Sequence, residues 1–486
     1  MRNKKLLFAF MSSAALLAAA CNPGVSEPKQ PEQEPAATEQ ATPSADPTPT
    51  EVPRPTEIPY RDLGGMEIII GDHWTPEYEL SYLPYVSSIE EYRKEIMKKY
   101  NFHIDRECVA GWGEMEDAYI ESVQEGAPIA QIFELDYRFV AQPLAKGLFY
   151  DLATLDELDF SEEKWNASVR EIMTVGDSVY GMNAGASEPA GGVIFNKRLF
   201  EEAGLDPNLP YDLQASGEWT WSKFEELCEI LTRDTDGDGQ TDVYATVSQG
   251  AATIQILVAS TGSDFVRKDR EGMLYSNLQS EEVTMAMNFA VDLYQKGYEM
   301  PQPEDSQWDY FIPAFQNGKA AMQFSEVYRC SWGDVYGDCM EDYVGFVMPP
   351  KPDGEEKYHS YFCDNIVVIP SCYDAETAGN IAYAYNLYTE MLEGDEGGEG
   401  WLELYYAWFM DKRAVDETIQ YFVTGNCASQ LMQTVVDGLE DVLGPDLLWL
   451  YPFKEVALEA QIKEISEKWD ALVEEANRGR EDTDAK

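Results

Sequence analysis

From residue 66 onward, short apolar runs alternate with segments whose apolar residues have helical spacing. Residues 66–71 and 102–105 are typical of strands, whereas 89–100 and 115–125 are typical of helices. The apolar run 129–135 predicts a third strand. Strands that alternate with helices favour an α/β fold with a mostly parallel sheet. Ligands of such sheets bind beyond the carboxyl ends of the strands.

Acidic and aromatic residues follow each of the three predicted strands. Asp72 and Trp74 follow the first strand, Trp112 follows the second, and Asp136 with Tyr137 follows the third. We therefore expect these side chains to share one sheet edge and to contact a ligand there. The alternative for each aromatic is core packing, which is common in a chain with 11 Trp, 29 Tyr and 20 Phe.

The N-terminus predicts export and a lipid anchor. Residues 1–20 combine a basic start with an apolar run too short for a comfortable membrane span, as in a secretory signal. The run ends in Leu-Ala-Ala-Ala-Cys, which resembles a bacterial lipobox and implies cleavage before Cys21 and lipidation of that residue. An ordinary signal peptide that happens to end near a cysteine is the alternative. No later run of about 18 apolar residues predicts a membrane span.

A linker and a strong negative charge follow. Residues 21–60 are rich in Pro, Glu, Gln and Thr, a composition that predicts a disordered, semi-stiff spacer. The 89 acidic residues outnumber the 35 basic ones and leave a net charge of −54. Because this charge repels phosphate backbones, nucleic acid is excluded as a partner. The charge is compatible with an uncharged or cationic solute.

Seven cysteines remain after Cys21, so a monomer would keep at least one free thiol. Cys330 and Cys339 flank a short loop and could form a disulfide. If residues 363–370 form one strand, Cys363 and Cys372 lie too far apart to bridge.

The middle of the chain carries a series of recognisable motifs. GDSVYGMN begins at Gly176, GVIFNKRLFEEAGL at Gly192, WTWSKFEELCEILTRDTDGDGQTDVYA at Trp219 and AFQNGKAAM at Ala314. Within the third motif, either Thr220 or Ser222 could cap a helix whose core face includes Cys228, and the two tryptophans are interpreted as structural. In this order and spacing, the motifs resemble the extracellular solute-binding proteins of carbohydrate ABC transporters, the group that includes maltose-binding protein.

The resemblance implies a periplasmic-binding-protein-like fold with two α/β lobes around a ligand cleft. We expect one lobe to contain residues 61–186 and 326–362, and the other to contain 187–325 and 363–486. Hinge crossings are expected near Ser187, Ser325 and Phe362. Ligand contacts that improve in the closed state would then drive closure of the cleft.

Four further ligand contacts are expected from positions near the hinge and in the second lobe. Glu188 lies at the first crossing, Asp364 at the last, and Trp332 follows a predicted strand at 321–327. The resemblance implies a stacking aromatic near Trp332. Gln249 is a candidate from the second lobe. A cleft lined by aromatic rings and carboxylates suits a sugar, which has apolar faces and a rim of hydroxyl groups.

One loop has the residue pattern of a calcium site. Its oxygen donors occupy alternate positions, with Gly239 allowing a sharp turn: Asp234, Asp236, Asp238, Gln240 and Asp242. Ala245 stands where an EF-hand carries its bidentate glutamate. The pattern predicts either a structural Ca²⁺ site or a turn closed by side-chain hydrogen bonds.

The sequence favours a binding protein over an enzyme. It contains three histidines and none of the zinc-protease, nucleophile-elbow or phosphate-loop motifs. We therefore expect a monomeric, lipid-anchored binding component of an ABC importer on the outer face of the cell membrane, delivering a sugar or oligosaccharide to permease subunits and needing no cofactor beyond a possible structural Ca²⁺. The alternatives are a surface glycan-degrading enzyme and a solute-binding lipoprotein used for sensing or adhesion.

Overall fold

The computed structural model describes residues 58–74, 83–247, 251–330, 335–337, 340–392, 400–443 and 458–484, with side chains up to residue 478. The chain divides into a short N-terminal unit, Met1–Arg61, and a body, Asp62–Lys486. Cys21 and nearly all of the predicted linker lie outside the described residues. Of the helices that are described, none is both long and apolar enough to cross a membrane.

Strands and helices alternate through the body. The strands are β1 (Met66–Asp72), β2 (Phe102–Cys108), β3 (Ile132–Leu135), β4 (Thr174–Val175), β5 (Ser178–Val179), β6 (Gly191–Asn196), β7 (Tyr244–Thr246), β8 (Val266–Lys268), β9 (Leu274–Ser276), β10 (Ala320–Glu326), β11 (Val344–Val347), β12 (Ser360–Phe362), β13 (Ile366–Val368) and β14 (Ala428–Gln430). The α-helices are α1 (Pro84–Tyr100), α2 (Met115–Gln124), α3 (Ala141–Ala145), α4 (Ala167–Met173), α5 (Lys197–Glu202), α6 (Leu209–Ser216), α7 (Trp221–Leu231), α8 (Ala251–Ser260), α9 (Glu281–Gln295), α10 (Phe311–Gln316), α11 (Ala375–Tyr388), α12 (Leu402–Trp408), α13 (Gln420–Thr424), α14 (Glu440–Leu443) and α15 (Leu458–Asp484).

The first sheet has the strand order β13-β3-β1-β2. Strand β1 runs parallel to β2 and to β3, and the register pairs Asp72 with Cys108. Strand β13 is antiparallel to β3, with Ile366 opposite Leu135. Because β1, β2 and β3 are parallel, their carboxyl ends lie at one edge, where Asp72 and Asp136 stand.

The second sheet has the order β11-β6-β10-β7. Strand β6 is antiparallel to both of its neighbours, so of the two four-stranded sheets only the first is mostly parallel, as predicted. The strands fit closely at Gly192 on β6, where an added Cβ would lie 2.4 Å from the Phe346 ring on β11. Only glycine allows this approach, and it fixes the packing of β6 against β11.

Two chain segments run side by side between the two sheets, residues 180–190 and 363–365, and are called the connecting segments below. Isolated bridges join Met182 to Val367 and Pro189 to Phe362, in the regions where crossings were expected near Ser187 and Phe362. The crossing expected near Ser325 is wrong, because β10 and the following strand β11 both pair with β6.

The expected division into lobes is therefore wrong in two places. Residues 326–362 include β11, which belongs to the second sheet, and residues 363–486 include β13, which belongs to the first. The predicted strand at 363–370 is shorter than expected, since β13 covers Ile366–Val368 and follows Asp364 and Asn365. The preceding strand, β12, ends at Phe362 and lies in a different sheet.

Helix α7 shows how the local sequence places its core face. The Thr220 hydroxyl caps the helix by accepting the Lys223 N–H at 3.3 Å, whereas Ser222 donates to Asp353 at 2.7 Å. Trp219 is fully buried and donates to the Met348 carbonyl at 2.7 Å, which agrees with a structural role. Cys228 is buried, and Cys363 and Cys372 are free thiols, whereas Cys339 lies outside the described residues.

Candidate ligand-binding site

The end of β1 is held by an ion-pair network. Asp72 is fully buried and accepts the Trp74 backbone N–H at 3.1 Å. Arg106 on β2 lies 3.2 Å from the Asp72 carboxylate and 2.5 Å from that of Glu134 on β3. One guanidinium therefore serves two carboxylates and joins the ends of three strands.

The end of β3 carries a second ion pair. Arg138 donates through Nε and Nη2 to the two oxygens of Asp136, at 2.8 and 2.6 Å. The Trp112 indole N–H also donates to Asp136, at 3.2 Å. Burial alone would raise the pKa of Asp136, but the charge and hydrogen bonds of Arg138 outweigh burial and hold that pKa below its usual value. Asp136 is thus a fixed anion that orients the Trp112 ring.

Four rings form a row along the same sheet edge. The centroids of Trp74 and His73 are 4.6 Å apart, those of His73 and Phe139 are 6.4 Å apart, and those of Phe139 and Trp112 are 4.8 Å apart. Trp74 is 38% exposed, and Trp112 is half-buried. Exposed ring faces beside oriented carboxylates suit a ligand that has both apolar faces and hydrogen-bonding groups.

The segments that connect the sheets contribute two more carboxylates. Asp364 is buried and accepts the Glu188 backbone N–H at 2.9 Å and an amide N–H of Gln430. Burial, followed by the charge of Asp364, raises the pKa of Glu188 to about 8. Burial likewise raises the pKa of Asp364 to about 7. Both groups hold protons more tightly than free carboxyls do.

The second sheet contacts these carboxylates through the last residue of β10. Glu326, the last residue of β10, accepts from the Tyr137 hydroxyl at 3.5 Å, which links the two sheets. Tyr328 is partly exposed two residues further on, with the Arg329 guanidinium 5.2 Å from its ring centroid. Acidic groups from both sheets therefore meet beside the connecting segments.

Seven predicted ligand residues lie in this region: Asp72, Trp74, Trp112, Asp136, Tyr137, Glu188 and Asp364. Trp332 and Gln249 lie outside the described residues. Sequence reasoning missed Arg106, Arg138 and Glu326. Only Glu326 left a usable signal, since it lies next to the last residue of the strand predicted at 321–327, beside an expected crossing.

The loop between α7 and β7 brings part of the predicted metal set together. Carboxylate oxygens of Asp234, Asp236 and Asp242 lie within 4.8 Å of one another. Asp234 also accepts the Gly237 and Gly239 N–H groups, as in a turn closed by side chains. Asp238 instead accepts from the Gln240 N–H groups and is not among the three grouped carboxylates.

A separate polar cavity of about 290 Å³ lies beside β12 and β14. Its lining includes Arg267, Lys268, His359, Asp264 and Gln430. None of the described residues at the β1 and β3 edge lines it. The cavity is therefore distinct from the aromatic row.

Two α/β sheets joined by paired connecting segments, with a polar and aromatic site beside those segments, define a two-lobed solute-binding protein. The chain belongs to the family of bacterial extracellular solute-binding proteins, whose family profile matches residues 87–354. No curated protein sequence matches it.

Solved structures share this fold. The cyclic α-maltosyl-1,6-maltose binding protein of Arthrobacter globiformis has a TM-score of 0.62 at 14% identity, over 84% of this chain and 99% of that one. A binding protein of B. animalis subsp. lactis in complex with β-1,6-galactobiose has a TM-score of 0.55 at 14% identity, over 84% and 98%. The Thermus thermophilus maltotriose binding protein has a TM-score of 0.52 at 15% identity, over 85% and 99%. Identities this low show a shared fold alone.

Proposed function

We propose that this protein is the membrane-anchored binding component of an ABC importer that captures a sugar or oligosaccharide by lobe closure. The observation that carries the proposal is the row of rings from Trp74 to Trp112 beside the fixed Asp136 carboxylate. Rings can cover the C–H faces of a sugar while carboxylates accept its hydroxyl protons. The sugar ligands bound by structures of the same fold support this class of solute.

The anchor and the delivery step belong to the same proposal. Lipidation at Cys21 would hold the protein at the membrane, and residues 21–60 would act as the spacer. The closed form would be the state that permease subunits recognise. A glycan-degrading enzyme is not favoured, because the matching family is one of binding proteins.

The proposal is tested by thermal-shift and calorimetric screening against a panel of mono- and oligosaccharides, using the mature chain with Cys21→Ser. We expect Trp112→Ala to weaken binding of the best sugar by ~1–3 kcal/mol, because a stacking ring is lost. Trp112→Phe should retain most of the affinity, since it keeps a ring without the indole N–H. Tyr275→Ala, which removes an exposed ring on β9, is the matched control. Failure of every sugar in the panel would refute the proposal.

We also propose that the loop at 234–242 binds a structural Ca²⁺ ion. The three neighbouring carboxylates of Asp234, Asp236 and Asp242 support this assignment. Calcium should raise the melting temperature, and Asp236→Asn should weaken that effect. The control is Asp269→Asn, which alters a turn that is closed by one aspartate. Titration with Ca²⁺ that gives neither heat nor a shift in melting temperature would remove the site.

A further inference from the structure

The carboxylates around the connecting segments outnumber the positive charges that face them. We define the cleft cluster as six carboxylates and two guanidiniums: Asp72, Glu134, Asp136, Glu188, Glu326, Asp364, Arg106 and Arg138. With all groups ionised, its formal charge is −4. Closure of the lobes around a ligand would exclude water from a site with this excess.

Three of the four excess negative charges lie on groups without an ion-pair partner, and the fourth arises because Asp72 and Glu134 share Arg106. The two guanidiniums are occupied, since Arg106 serves Asp72 and Glu134 while Arg138 is paired with Asp136. Within the described part of the chain, Glu188, Glu326 and Asp364 have no Lys or Arg within ion-pair distance. Their hydrogen bonds come from neutral donors: the Tyr137 hydroxyl for Glu326, and a backbone and an amide N–H for Asp364.

A buried acceptor beside Asp364 also lacks a donor. Gln430 is 4% exposed, and its amide nitrogen donates to Asp364. Its Oε1 atom has no hydrogen-bond partner among the described residues. An unsatisfied buried acceptor is unfavourable, and a ligand N–H would satisfy it. Gln430 lies between Asp364 and the separate polar cavity, which it also lines. Independently of the acid count, its orphan oxygen favours a ligand beside Asp364 that donates hydrogen bonds.

The exposed rings are compatible with a cation as well as with a sugar. An ammonium group placed over the face of a tryptophan is attracted by the ring quadrupole. The raised pKa of Glu188, caused by burial and by Asp364, Glu134, Glu326 and Asp136, agrees with a shortage of positive charge around this carboxyl.

Building on the proposed function, we infer that the solute is a glycan that carries a positively charged amine rather than a neutral sugar. An ammonium near Glu188 and Asp364 supplies the missing positive charge and donates hydrogen bonds. A neutral sugar brings no charge, so Glu188 and Asp364 would have to keep their protons when water is excluded.

Three β-1,4-linked disaccharides with related skeletons separate charge from shape. Chitobiose carries two amines, N,N′-diacetylchitobiose carries none, and cellobiose has hydroxyl groups at those positions. Calorimetry at pH 7 should show chitobiose binding at least about tenfold tighter than either neutral disaccharide, which corresponds to about 1.4 kcal/mol. Equal or weaker binding of chitobiose overturns the inference. A neutral sugar that binds while chitobiose does not refutes the charge requirement but leaves sugar capture intact, whereas failure of every glycan refutes both.

Two variants test whether the cleft cluster is responsible. Glu188→Gln should reduce the preference for chitobiose over cellobiose by about tenfold. Asp364→Asn provides a second test if Glu188→Gln folds poorly. Glu121→Gln removes an exposed charge on α2 and controls for the overall field of the protein. An unchanged preference in both cleft variants would overturn the inference.

Discussion

Arg138→Met should abolish measurable ligand binding, a loss of at least about 100-fold, and should destabilise the folded chain by about 3 kcal/mol. The reason is that Arg138 holds both oxygens of the buried Asp136 and lies 5.1 Å from the centre of the Trp112 ring. Without the guanidinium, Asp136 becomes an unpaired charge with little access to water. The measurements are urea unfolding and calorimetric titration with the best ligand of the sugar panel.

A double variant separates the two effects. Asp136→Asn combined with Arg138→Met leaves no unpaired charge, so much of the stability should return. Binding should stay lost, because the fixed carboxylate and its hold on Trp112 are both gone. Arg198→Met is the matched control, since Arg198 pairs with Asp342 on a partly exposed surface, where an ion pair contributes at most about 1 kcal/mol. Undiminished affinity in folded Arg138→Met would contradict the assigned role.

The elements around the site could be predicted because local patterns determine them. Strand β1 and helix α2 follow from apolar runs and helical spacing, and both occur within one or two residues of the expected positions. Asp72 and Asp136 could be chosen as site residues because the end of a parallel strand is a general position for ligands. These inferences need no knowledge of which strands pair.

The assignment of residues to lobes could not be predicted in the same way. The run from Phe362 to Ile369 is apolar on both sides of Asp364. The apolar pattern alone does not show whether the two halves of such a run belong to one sheet or to two. Strand pairing is set by distant partners, here β14 for β12 and β3 for β13. The acidic pair of Glu188 and Asp364 exists because these connecting segments lie side by side.

Arg106 and Arg138 show a second limit of sequence reasoning. Neither residue belongs to a motif with fixed spacing, and Arg138 lies three residues after the third predicted strand, where any polar residue is acceptable. Both arginines matter because they neutralise buried carboxylates. These carboxylates become buried only when the ends of the three strands come together in the fold. The net charge of −54 gave no hint that the site would contain two well-placed guanidiniums.

The stability of the unliganded protein should fall as pH rises from about 5 to 8, and Glu188→Gln should remove part of this fall. The native pKa of Glu188 is about 8, raised first by burial and then by Asp364, while that of Asp364 is about 7, raised by burial. The folded state therefore keeps protons that the unfolded state releases near pH 4. This contribution to stability is fully present below the unfolded pKa and is lost as pH rises through the folded values.

The comparison of wild type with Glu188→Gln isolates this contribution from the general repulsion within an acidic protein. Near pH 5 the two should unfold alike, because glutamine resembles the protonated acid. By pH 9 the variant should be more stable by about 2 kcal/mol, since wild type must then ionise Glu188 against four facing carboxylates: Glu134, Asp136, Glu326 and Asp364. Thermal and urea unfolding at pH 5, 7 and 9 measure the difference.

The control for general charge is Glu121→Gln, whose stability should follow that of wild type at every pH. A wild-type-to-variant difference that stays constant from pH 5 to 9 would show that Glu188 does not titrate in the folded state. A stability difference between wild type and Glu188→Gln that grows with pH would show that Glu188 carries a proton in the folded state. It would also mean that any ligand or lobe movement that brings positive charge to Glu188 must release that proton, so solute capture and proton release would be thermodynamically linked.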